Sequence, residues 1–163
     1  MIYKIFKAGG GYAVVAVDNG KVIGLILPGR KQAVLNEIHK KYPDAKPGSS
    51  VFLRMTTGLV KRYFNGAAVS FDRVDADISA LSPFERGVLG RIRQIKHGVT
   101  RSYSWAGNGK ARAAGNALAK NPVPIIIPCH RIIKTDGALG GFAFGRGWKK
   151  RLLDLEMKGK LNK

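Results

Sequence analysis

One residue in the chain carries a thiol, and its surroundings are chemically suggestive. Cys129 lies in Ile125-Ile126-Ile127-Pro128-Cys129-His130-Arg131-Ile132-Ile133. The thiolate is the nucleophilic form of cysteine, and a nearby cation or proton acceptor promotes it. His130 and Arg131 supply both types of group. Pro122, Pro124 and Pro128 fix φ three times within residues 121–133 and remove three backbone donors. Such a segment suits a buried stretch held in one conformation. On chemistry alone two readings stay open: an inert buried cysteine, which is common, and a rigidly presented nucleophile.

Neighbours on extended chain point to opposite faces. His130 therefore reaches Cys129 only if the backbone turns, or through a bridging water. A carboxylate should orient the imidazole, and the second half of the chain offers Glu85, Asp136, Asp154 and Glu156. In the last helical stretch Trp148, Leu152, Leu155 and Gly159 trace an apolar stripe, with Glu156 beside Leu152. An acid on an inward face requires a buried partner. His130 is the natural one. The expectation is a Glu156–His130–water–Cys129 relay that raises the thiolate fraction.

The elements around this segment are readable from pattern. Tyr12–Val17 and Val22–Leu27 are apolar strands joined by Asn19-Gly20, with Pro28-Gly29 as the stop. A helix follows with Val34, Leu35 and Ile38 on one side. A second helix carries Val51, Phe52, Met55, Leu59 and Tyr63 up to Asn65-Gly66. His39, beside Lys40 and Lys41, reads as a surface residue. Residues 70–82 form a connector. Ser82, Pro83 and Glu85 then make a capping box that starts a helix, with Phe84, Val88, Leu89, Ile92 and Ile95 as its stripe and Gly98 as its stop. Residues 110–120 form a short helix. One face has Ala111, Ala114, Gly115 and Leu118; the other has Arg112, Ala113, Asn116, Ala117 and Lys120. Small side chains on that second face would let it approach a DNA groove closely.

Charge names the partner class. The 163 residues hold 29 Lys and Arg against 10 Asp and Glu, a net +19. Residues 1–78 have 12 basic and 6 acidic side chains, and residues 79–163 have 17 and 4. Such an excess repels itself unless a polyanion neutralises it, so nucleic acid is the expected partner of the second half. No apolar run approaches the about 20 residues of a membrane span, and the N-terminus lacks the features of a secretory signal. One cysteine excludes an internal disulfide or a multi-cysteine zinc site. A reducing, cytoplasmic compartment is expected, nucleoid-associated, or nuclear in a eukaryote.

Asn121-Pro122, Ile127-Pro128-Cys129-His130-Arg131, Gly137, Gly140-Gly141 and the terminal helix to Glu156 occur in an order that resembles the O6-alkylguanine-DNA alkyltransferases, over about residues 82–157. The resemblance implies an α+β protein: a ribonuclease-H-like α/β domain at 1–78, and a helical domain at 79–163 with a helix-turn-helix. It implies DNA repair by irreversible, single-turnover transfer of the alkyl group from O6-alkylguanine to Cys129, and leaves open whether O4-alkylthymine is also a substrate. His130 and Glu156 resemble the family's relay. Tyr103 resembles the tyrosine that assists base flipping and protonates the leaving guanine. Arg112 resembles the arginine that replaces the flipped base, on a recognition helix whose DNA face would be Arg112, Ala113, Asn116, Ala117 and Lys120. Asn121 resembles the asparagine tying that helix to the cysteine segment. Ile132 would offer a carbonyl to the guanine amine, and the lesion pocket would comprise Tyr103, Asn121, Ile132, Ala143 and Phe144. No metal or organic cofactor is implied; the partner is double-stranded DNA with alkylated bases, and a monomer is expected.

Two features depart from the family pattern. Only Ser104–Ala111 separate Tyr103 from Arg112, so the first helix of the helix-turn-helix should be short. Phe144 stands where glycine is usual, and would either narrow the pocket or pack outward. Two other readings compete with alkyl transfer: a DNA-binding module with a structural cysteine, and a thiol hydrolase pairing Cys129 with His39 or His97.

Overall fold

A computed structural model describes residues 1–161, with side chains described to residue 158. The expected stripe position Gly159 and the last two residues lie outside the described side chains. The chain divides into two compact units, Met1–Asp77 and Ile78–Lys163. Among the described residues no helix is long and apolar enough to cross a membrane.

The first unit is a sheet with helices. Strands β1 (Ile2–Ala8), β2 (Gly11–Asp18) and β3 (Lys21–Gly29) form an antiparallel meander. Helix α1 (Lys31–Lys41) leads to the two-residue β4 (Lys46–Pro47), which pairs parallel to β1. The sheet order is β3-β2-β1-β4, the arrangement expected of a ribonuclease-H-like unit. Strand β1 escapes the sequence pattern because Lys4 and Lys7 interrupt its apolar residues. Strand β3 runs through Pro28 to Gly29, past the expected stop.

Core packing explains the composition of β2. Tyr3, Val14, Ala16 and Ile26 meet Val34 and Ile38 of α1 in one cluster. Ala13, Val15 and Val17 alternate to the other face and are also buried. A strand buried on both faces loses the polar alternation of a half-exposed one. Helix α2 (Val51–Phe64) packs on β1 and β2. Its expected bounds hold, but its inward face is Leu53, Thr56, Thr57, Val60, Tyr63 and Phe64; Val51 and Met55 are exposed. The threonines can turn inward because Thr56 Oγ1 donates to Phe52 O and Thr57 Oγ1 to Arg54 O, which satisfies each hydroxyl within the helix.

The second unit is mostly helical. Helix α3 (Pro83–Arg93) begins at the complete Ser82–Glu85 capping box. It ends at Arg93, short of Gly98. Ile95 is buried beyond the helix end, whereas Phe84 is 39% exposed and leaves the expected stripe. Strand β5 (Arg101–Ser102) pairs parallel to β6 (Ile132–Ile133). Helix α4 (Tyr103–Ala106) is a single turn, and α5 (Ala111–Ala119) follows after Gly107-Asn108-Gly109. The tight turn requires glycine at 107, where a Cβ would run into Lys110 O and the Ala114 methyl. The first helix of the helix-turn-helix is thus cut to one turn, as the short spacing implies. A 3-10 turn at Cys129–Arg131 precedes β6, and α6 (Arg146–Leu161) closes the unit.

The inward face of α2 is open to test by chemical denaturation. Leu53→Ala should lose about 2–5 kcal/mol, and Met55→Ala less than about 0.5 kcal/mol. Equal losses would contradict the face described.

Candidate active site

The cysteine segment is shaped before it meets any partner. Val123 O accepts from Ile127 N at 3.0 Å, closing a turn in which Ile125 has φ +74°. A β-branched residue with positive φ is strained by about 1–3 kcal/mol and persists only where its surroundings demand it. Asn121 supplies part of that demand. Its Nδ2 donates to Ile127 O at 2.8 Å, and its Oδ1 accepts from Val123 N at 3.1 Å. The same Nδ2 is 3.2 Å from Cys129 Sγ, as donor. Asn121 is therefore a buried brace beneath the thiol.

The 3-10 turn places His130 in the interior. Its Nε2 lies 2.7 Å from Glu156 Oε1, with both side chains buried. Glu156 also accepts from Arg131 Nε at 3.0 Å, from Arg131 Nη2 at 3.0 Å and from Gly98 N at 2.8 Å. Arg131 Nη1 donates to Ile95 O. Burial alone would favour the protonated acid, but His130 and Arg131 outweigh it and hold the Glu156 carboxyl well below the usual range. Burial lowers the pKa of His130, opposed by Glu156, so the ring is neutral at pH 7. A carboxylate at Nε2 makes that nitrogen the donor and leaves Nδ1 as the basic one.

The thiol itself does not follow the expectation of a raised thiolate fraction. Burial pushes Cys129 up to about 11, against the Asn121 hydrogen bond and the Lys149 charge. Desolvation dominates because the sulfur is almost fully enclosed. The resting site holds a thiol whose proton must leave during reaction.

Above Cys129 opens a cavity of about 670 Å³. Tyr103, Arg112, Gly115, Gly140 and Phe142 share its wall with Cys129. Ala143 also lines it. Phe144 does not; its ring packs against Phe142, with centroids 5.6 Å apart. This corrects its assignment to the pocket: it supports the wall from outside. Asn121 lies beneath the thiol rather than in the wall. Ile132 is buried and pairs with Arg101.

Helix α5 presents Arg112 and Asn116 to solvent, with Ala113 half-buried. One member of the expected DNA face differs. Ala117 is 0% exposed, so it belongs to the packing face of α5 with Ala114 and Leu118. Lys120 forms an ion pair with Glu85 at the capping box of α3. The pair lies at the surface, and the Lys120 side chain stays 58% exposed.

Sequence reasoning missed two residues. Arg131 was read only as a cation near the thiol, whereas it is the bidentate partner of Glu156. Lys149 was not singled out at all. It is 0% exposed, and its Nζ donates to Tyr103 OH and to Gly141 O, each at 3.1 Å. The signal was present: Lys149, Leu152 and Glu156 recur at i, i+3 and i+7, which places them on one helical face. Among the described residues no group of three His, Cys, Asp or Glu side chains gathers where a metal ion could sit.

The chain is similar to several known proteins. Residues 83–158 match the family model for the 6-O-methylguanine DNA methyltransferase DNA-binding domain. The methylated-DNA–protein-cysteine methyltransferase of Methanosarcina acetivorans is 34% identical over 162 residues, covering 96% of this chain and 98% of that protein. Its counterpart in Methanothermobacter thermautotrophicus is 35% identical over 127 residues, covering 76% of this chain and 71% of that protein. The crystal structure of Mycobacterium tuberculosis OGT in complex with DNA superposes with a TM-score of 0.82 at 27% identity, covering 98% of this chain and 94% of that one. The O6-methylguanine-DNA methyltransferase of Pyrococcus kodakaraensis KOD1 shares the fold, with a TM-score of 0.74 at 22% identity over 95% and 98% of the two chains. A relative matched at 34% identity along nearly its whole length leaves one assignment: the chain belongs to the methylated-DNA–protein-cysteine methyltransferase family.

Proposed function

We propose that the protein reverses alkylation damage in DNA by moving the alkyl group from guanine O6 to Cys129, once per molecule. The observation that carries this reading is the chain's one thiol, braced by Asn121 on the floor of a cavity walled by Tyr103 and Arg112. The substrate is an alkylated base in double-stranded DNA, acted on by a monomer in the cytoplasm.

The chemistry follows from the parts. The reactive carbon lies inside a stacked duplex, so the nucleotide must be extruded into the cavity. Unstacking costs a few kcal/mol, and Arg112, exposed beside the cavity mouth, offsets part of this by occupying the gap. The thiol proton passes through a bridging water to His130 Nδ1. Glu156 stabilises the imidazolium that results. The sulfur attacks the alkyl carbon in line as the carbon–O6 bond breaks, and Tyr103 protonates the departing guanine. The product thioether has no second thiol to release it, so the protein is consumed.

Mass spectrometry after incubation with methylated duplex should find one added methyl, on the peptide containing Cys129. Turnover beyond one equivalent would exclude the single-use mechanism. Cys129→Ser should lose transfer and keep DNA binding.

Glu156 should reveal itself in the pH dependence of stability. Its folded pKa is depressed, so its contribution is complete above the unfolded value of about 4.3 and is lost as pH falls through and below it. Urea denaturation from about pH 7 to about pH 3 should show that loss in the wild type. Glu156→Gln should be weaker by about 3–5 kcal/mol at neutral pH, because Arg131 loses its buried counter-charge and the neutral His130 ring loses a charged hydrogen-bond acceptor. Its acid limb should be flatter and its methyl transfer slower. An unchanged acid limb would remove Glu156 from this role.

DNA affinity should fall steeply with salt, because phosphate contacts supply most of it. Arg112→Ala should depress repair of a duplex lesion far more than reaction with free O6-methylguanine, which needs no extrusion. Equal losses on both substrates would show that Arg112 shapes the cavity instead. Lys120→Ala should alter stability through its Glu85 pair and leave the reaction of bound lesion nearly intact.

A further inference from the structure

A buried lysine needs a reason, because removing an ammonium from water without full compensation is costly. Lys149 is 0% exposed, yet the groups it touches are the phenol of Tyr103 and the carbonyl of Gly141. Its Nζ lies 5.3 Å from the Tyr103 ring centroid. Tyr103 OH in turn donates to the same Gly141 carbonyl at 3.2 Å. The glycine turn is pressed against this pair: Gly140 has φ +72°, and a Cβ there would come within 2.6 Å of Tyr103 OH. Lysine nitrogen is donor-only, so the chain of hydrogens runs from Lys149 to the phenol oxygen. The phenol's own hydrogen points onward, to Gly141 O at rest.

We propose that Lys149 is the proton source behind Tyr103, refilling the phenol as it protonates the departing guanine. The inference rests on the alkyl transfer proposed above. In that step the S–C bond forms, the C–O6 bond breaks, and the electron pair of the broken bond stays on the guanine. The phenol proton passes to the guanine and the ammonium proton passes to the phenolate oxygen. The thiol proton has already gone to His130. The site therefore ends with neutral Lys149, intact Tyr103 and protonated His130, and charge is conserved throughout.

Two observations support this direction of transfer. Burial raises the pKa of Tyr103, reinforced by Cys129, so a lasting phenolate is unfavourable there. Burial brings Lys149 down to about 8, against the opposing pull of Cys129, so its proton is readily released. The titratable groups facing Lys149 from other elements are Tyr103 on α4 and Cys129 and His130 on the 3-10 turn. On its own helix Lys150 is exposed and paired with Asp154.

The test compares two methyl donors at Cys129 under single-turnover conditions. Free O6-methylguanine expels a guanine that needs a proton, whereas methyl iodide expels iodide, which does not. Both need the thiolate, so the ratio of their rates cancels the ionisation of Cys129. In the wild type the ratio should be level at low pH and decline above about 8, where Lys149 loses its proton. Lys149→Met should cut the guanine ratio about 100-fold, within the range of general-acid contributions, and leave it independent of pH. Lys149→Arg keeps a cation that cannot be deprotonated in a protein, and should show the same low, level ratio. A wild-type ratio that does not change with pH would overturn the proposal, and so would equal losses with both donors in Lys149→Met. The wild-type ratio decides alone if the variants fold poorly. A wild type methylated by iodide but never by O6-methylguanine would instead overturn the alkyl-transfer reading.

Discussion

The charge cluster at Glu156 is the interaction on which the helical unit depends. One carboxylate on α6 receives the His130 ring, two nitrogens of Arg131 and the Gly98 backbone amide. Those partners come from the turn behind the cysteine and from the loop after α3. A buried carboxylate tolerates desolvation only when its lone pairs are filled, and here four donors converge on it. The consequence is positional. With His130 and Arg131 both held by α6, the backbone at Cys129 has little freedom left, and the strained Ile125 turn is held from both ends.

The reactive groups are governed by desolvation. Enclosure holds Cys129 as a thiol, with its pKa at about 11, and brings Lys149 down to about 8. Each shift disfavours a buried charge, yet each group is stabilised by the charge of the other. Under the proposed mechanism, a site so arranged stays quiet at rest and moves protons when a substrate makes the charges useful. A lone low-pKa thiol would react with many electrophiles. A buried one, with the proposed proton acceptor and donor beside it, favours a substrate that fits between them.

The DNA-facing helix shows how packing overrides composition. An alanine-rich stretch has two candidate faces from sequence, and Ala117 could belong to either. Contact with α3 decides it, since α5 buries Ala114, Ala117 and Leu118 together. Lys120, at the exposed end of α5, joins it to the first turn of α3 through Glu85.

Much of this protein is determined by local sequence. The capping box at Ser82, the Asn19-Gly20 hairpin, the short α4 and the rigid proline frame around Cys129 are local matters of backbone chemistry, so adjacent residues suffice to define them. The His130–Glu156 pairing was also legible, because an acid on an apolar helical stripe has few partners it could seek. Other features needed the tertiary structure. Strand β1 pairs through its backbone with β2 and tolerates lysines that spoil its pattern. The inward face of α2 uses threonines whose hydroxyls are satisfied inside the helix. Phe144 packs against Phe142 outside the cavity lining, a contact its position in the sequence does not announce. Lys149 reaches Tyr103 across 46 positions of sequence. Local patterns report the conformation of neighbouring residues, whereas burial, pKa and the choice of partner depend on what the rest of the chain brings alongside.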